Sequence, residues 1–110
     1  MLSWLDDSVD WSNQGPADIS YFGVKHGHGG ALEVFGFLGD NVEMAVLDPH
    51  TFIADGDRVV ALVRVAATVK ATGLGYDEET VHVFDFNEAG CVTRFRDFQD
   101  TEAVAKALRG

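Results

Sequence analysis

The chain has 110 residues, 46% of them hydrophobic, with 18 acids against 8 bases and a formal net charge of -10. That length and composition predict one folded domain over residues 1–110 and argue against disorder. The single cysteine, Cys91, rules out an internal disulfide framework, and the acidity makes nucleic acid and anionic membranes poor partners. No apolar run approaches the ~20 residues of a membrane span, and Met1 to Asp7 lacks the basic start of a signal peptide, so a cytoplasmic location is expected.

In chain order, residues 2–7 read as the last turn of a helix that leads into a short strand, Val9-Asp10-Trp11. Ala31, Leu32, Phe35 and Leu38 recur at helical spacing, which predicts a helix over 31–38 with Gly39 just past its end. Gly27-His28-Gly29-Gly30 opens that helix; without a P-loop lysine, capping accounts for it better than phosphate binding. Four strands follow. Val42–Ala54 carries Asp48-Pro49, and a proline there implies an edge strand or a bulge. Asp55-Gly56-Asp57 marks a tight hairpin into Arg58–Ala71, Thr72-Gly73-Leu74-Gly75 turns the chain into Tyr76–Phe86, and Asn87-Glu88-Ala89-Gly90 leads to Cys91–Gln99. Asp100 then offers an N-cap for a short C-terminal helix with Val104 and Leu108 on one stripe. Turns this short join antiparallel neighbours, so the fold class is α+β, a curved antiparallel meander with a few helices on one face.

Side chains alternate between the two faces of a strand, and parity therefore sorts the candidates. Val59, Ala61, Val63, Val65, Ala67 and Val69 form a wholly aliphatic set that needs a packed partner. Leu62 and Arg64 belong to the mixed set, which either lines a cavity or faces water, and parity does not choose. His82 shares a face with Thr80, Phe84 and Phe86; it reads either as a core histidine with one satisfied hydrogen bond or as a functional group. Asp97 stands beside Phe95, and a carboxylate in a partly apolar wall gains proton affinity, which suits a base or acid near neutral pH. His26-Gly27-His28 lacks further ligands at a recognisable spacing, so no metal and no cofactor is expected.

The Trp11 strand, Gly15-Pro16, Tyr21-Phe22-Gly23, one helix and the four-stranded meander together resemble the SnoaL-like polyketide cyclase family of the nuclear transport factor 2-like superfamily. The strongest stretches are Phe52 to Val60, His82-Val83-Phe84, and Arg94 to Thr101, and the resemblance runs over essentially the whole chain. It implies a cone-shaped α+β barrel whose concave face forms a pocket, but with no counterpart here of the usual first helix and most of the second. By that resemblance Leu62, Arg64, His82, Phe84, Phe95 and Asp97 line the pocket, and Trp11 and Tyr21 sit near its mouth. The aliphatic row from Val59 to Val69 then becomes a convex homodimer face. Asp97 falls where such cyclases carry their base, His82 where related isomerases carry an acid that donates to an enolate, and Arg64 becomes a second stabilising group. Ser12 stands near the position of the isomerases' own base, which argues against that arrangement. The resemblance leaves several readings open: acid–base chemistry beside a carbonyl of a small hydrophobic molecule, an epoxide hydrolase-like activity, or a non-catalytic ligand-binding or dimerisation module.

Overall fold

The computed structural model describes residues 2–110. Its elements are β1 (Leu5–Asn13), β2 (Gly23–His26), α1 (Gly27–Asn41), β3 (Val42–Asp55), β4 (Arg58–Val69), β5 (Gly75–Phe86), β6 (Val92–Phe98) and α2 (Thr101–Arg109). The strands form one sheet in the order β2-β1-β6-β5-β4-β3. Every neighbouring pair is antiparallel except β1 with β6, which run parallel. The architecture is therefore α+β with a curved, mostly antiparallel sheet, as the sequence implies.

The hairpins fall where the glycines place them. Gly56, at φ +59°, turns β3 into β4 so that Asp55 pairs with Arg58. Pro49 lies on β3, the edge strand, beside a register shift between Pro49 and Thr51, so the edge and bulge expectations are both met.

Two local expectations change. Residues 5–7 belong to β1 rather than to a helix end. Leu5 and Val9 are both buried, and their spacing of four fits a helical turn as well as alternate strand positions; pairing with β6 decides for the strand. Helix α1 continues through Gly39 to Asn41, where the Asn41 Nδ2 donates to the Phe37 carbonyl at 2.9 Å and stops the helix directly ahead of β3. At its other end no side chain caps α1. The glycines serve close approach there instead: a Cβ on Gly30 would lie 2.8 Å from the Lys25 Cβ and 2.9 Å from its backbone carbon.

The principal core lies between α1 and the inner face of β1 and β6. Leu5, Val9, Trp11, Ala31, Val34, Val92 and Phe95 pack there with Val104 and Ala105 of α2. No helix among the described residues is long and apolar enough to cross a membrane.

Candidate functional site

Register decides which residues meet on the inner face. Ala61 pairs with His82, Val63 with Thr80 and Val59 with Phe84, so the aliphatic row of β4 shares the face of His82. Phe84 pairs with Phe95 and His82 with Asp97, and β1 adds Trp11 beside Phe95 and Asn13 beside Asp97. The aliphatic row thus faces inward and is not a convex dimer surface. Leu62 and Arg64 pair with Val81 and Glu79 on the opposite face. Arg64 is exposed there and binds Asp77 at 2.8 Å, which removes both residues from the pocket: placing them with His82 requires a hairpin register one residue out, and such a slip inverts the whole strand.

The inner face encloses a cavity of about 250 Å³, lined by Trp11, Asn13, Tyr21, Phe35, Leu38, Val65, Tyr76, Thr80, His82, Phe95, Asp97 and Gln99 among others. Asp97 is 6% exposed, and the polar neighbours of its carboxylate come from β1 and β5. Asn13 Nδ2 on β1 donates to its Oδ2 at 3.0 Å. The Thr80 hydroxyl on β5 has one proton to give, and lies 2.7 Å from Oδ1 and 2.9 Å from the Phe98 carbonyl. His82 Nε2 stands 3.4 Å from Oδ1. Asn13 also donates to the Tyr21 oxygen at 3.1 Å, which leaves the Tyr21 proton free to point elsewhere. Burial, and then the charge of Asp97, push the Tyr21 phenol far above its ordinary range, so it remains a donor.

Aromatic rings hold the remaining geometry. Trp11 stacks on Phe95 with centroids 4.0 Å apart, and His82 meets the same Phe95 edge-on at 5.0 Å. Trp11 and Tyr21 are both buried and line the Asp97 cavity. Phe84 lines a second cavity of about 270 Å³ with Leu47, Pro49, Phe52, Ala61 and Val63; Leu47 and His82 belong to both cavities. A larger groove beside α1 shares Tyr21 and Val34 with the Asp97 cavity, and another beside α2 shares no residue with it.

Sequence reasoning missed Asn13 and Thr80, the two neutral groups that hold Asp97. Thr80 carried a signal, since it shares the row of His82, whereas Asn13 meets Asp97 across 84 residues of sequence. His26 and His28 serve structure, with His26 Nδ1 2.6 Å from Asp10 Oδ1 and His28 Nε2 3.0 Å from the Leu5 carbonyl.

Among curated proteins none matches the sequence. Solved structures do. A nuclear transport factor 2-like protein of unknown function from Burkholderia pseudomallei is 28% identical, with a TM-score of 0.88 over 99% of this chain and 82% of its own. TerC, co-crystallised with polyporic acid, is 27% identical with a TM-score of 0.84, over 99% of this chain and 83% of its own. A provisionally assigned SnoaL-like polyketide cyclase from Mesorhizobium loti, 20% identical, shares the fold with a TM-score of 0.73 over 86% of this chain and 78% of its own. The SnoaL-like domain model matches residues 1–95, and by that match over most of its length the chain belongs to the SnoaL-like domain family.

Proposed function

We propose that this protein binds a small, mostly apolar carbonyl compound in the Asp97 cavity and moves a proton beside the carbonyl, as an isomerase or cyclase does. The observation that carries the reading is a buried carboxylate, held by Asn13 and Thr80, facing a cavity walled by aromatic rings. Asp97 is the base: its oxygens keep lone pairs beyond those that the two donors occupy, and they face a cavity walled by aromatic rings. Tyr21 is the donor to the developing enolate oxygen, since its own proton is uncommitted and its phenol stays protonated. His82 presents Nε2 to Asp97, so it reaches a ligand from Nδ1 and donates there only as imidazolium. The co-crystal of TerC with polyporic acid supports occupancy of this fold by a small organic molecule.

The partner expected for this protein is a second copy, and we place that contact on the outer face around Leu62, Val81 and Phe98 rather than on the inward aliphatic row. Proton chemistry is tested with 2-tetralone in deuterated buffer, following loss of its α-proton signals by NMR. The wild-type protein accelerates exchange over buffer, and Asp97→Asn lowers the enzymic rate by about 10²-fold or more. Exchange no faster than buffer, or undiminished in Asp97→Asn, rejects the acid–base reading and leaves a binding module.

A further inference from the structure

The inner row of β5 runs Tyr76, Glu78, Thr80, His82. Three of these line the cavity, and Glu78, opposite Val65 of β4, does not. Alternate residues on a strand stand roughly 6–7 Å apart, so Glu78 is next in line to Thr80, whose hydroxyl holds Asp97. Both Glu78 carboxyl oxygens are shut off from water and have no hydrogen-bond partner. Among the described residues no Lys, Arg or His forms an ion pair with it. A carboxylate left in such a place bears an uncompensated desolvation cost that a neutral carboxyl largely escapes.

We propose that Glu78 is the proton-bearing partner of Asp97: the two carboxyls share one negative charge, and removing the charge of Asp97 makes Glu78 the easier to ionise. This rests on the cavity reading above and adds a regulator to it. As pH rises, Glu78 releases its proton to solvent and the site passes from one negative charge to two. A ligand that binds as an anion, such as a phenolate or enolate, is then admitted on the acid side and repelled on the alkaline side.

The surroundings agree. Facing Glu78 are Tyr76 on its own strand, Tyr21 from the β1–β2 connection, Asp97 on β6 and Asp100 at the start of α2, all neutral or acidic. Burial is the main force raising the Glu78 carboxyl to about 7, and the charges of Asp100 and Asp97 add to it. The Asp100 backbone N–H opposes the shift without making a well-formed hydrogen bond.

Carbon-13 NMR of the carboxyl-labelled full chain tests the pairing. The Glu78 resonance, assigned by its loss in Glu78→Gln or, should that chain not fold, its displacement in Glu78→Asp, titrates near neutral pH. In Asp97→Asn its midpoint falls by about half a pH unit. Titration in the ordinary carboxylate range, or a midpoint indifferent to Asp97→Asn, overturns the pairing. The regulatory consequence is read with 2,4-dinitrophenol, a phenolate across the range, whose affinity falls about threefold between about pH 6 and pH 8 in the wild type but not in Glu78→Gln. Equal affinity at both pH values, or no binding at either, overturns the regulation. The neutral 2-tetralone judges the cavity reading separately, so the two failures are distinguishable.

Discussion

The inner face of the sheet is built as two unlike surfaces. Over β1 and β6 it is sealed: Trp11, Phe95 and Val9 are packed beneath Val34 and Phe35 of α1, and Phe95 is 4% exposed. Over β3 it is bare: Leu47 and Phe52 share the inner face with the buried Val65 and Ala61 of β4, yet are 61% and 63% exposed. Asp97 sits in the sealed half and the second cavity opens in the bare half, with His82 at their junction. The difference separates two jobs. Aromatic packing shuts solvent from Asp97, while the exposed side chains of β3 leave the second cavity uncovered.

The largest effect expected from this contrast is on stability. Phe95→Ala removes the ring on which Trp11 stacks and His82 rests, and should cost about 3–5 kcal/mol by chemical denaturation. Thr80→Val strikes the same half through a hydrogen bond and should cost about 1–3 kcal/mol. The next effect is one of pH. Burial first, and then neighbouring acids, raise the folded Glu78 carboxyl to about 7 from an ordinary 4.5, so between those values the folded chain holds a proton that the unfolded chain has lost. Stability contributed by Glu78 should therefore be complete below about pH 4.5 and fall away as pH climbs through about 7, and Glu78→Gln should flatten this part of the urea-midpoint profile.

The smallest effect belongs to the bare half, where Phe52→Ala should move stability by no more than about 0.5 kcal/mol. A cost comparable to that of Phe95→Ala would show that β3 is covered in solution and would break the comparison. The outer face offers a separate check. Leu62→Asp should shift the mass in light scattering from dimer to monomer, whereas an unchanged mass rejects that contact.

Much of this was legible beforehand. The meander followed from Asp55-Gly56-Asp57 and Asn87 to Gly90, because short turns with glycine leave antiparallel pairing as the simple connection. The resemblance put His82 and Asp97 on one face, and in the structure they pair across the β5–β6 hairpin. Arg64 was misplaced because parity leaves open which row faces inward, and a one-residue slip in the β4–β5 register exchanges the two faces of a strand. Asn13 was out of reach for another reason. It joins Asp97 through the parallel β1–β6 pairing, between residues 84 apart in sequence, and no local pattern encodes such a contact.

The sequence by itself determined the number and order of the β3 to β6 strands, the alternation that makes one row of β4 wholly aliphatic, and a strongly acidic composition. Alternation is a property of one strand, so it sorts residues into two sets without saying which set faces in. Only the tertiary structure decided that the aliphatic row faces inward and Arg64 outward, and brought Asn13, Thr80 and His82 to one carboxylate. It also isolated Glu78 from every compensating charge among the described residues. Burial and distant pairing set the proton affinity of a carboxyl, and both exist only once the sheet has closed over it.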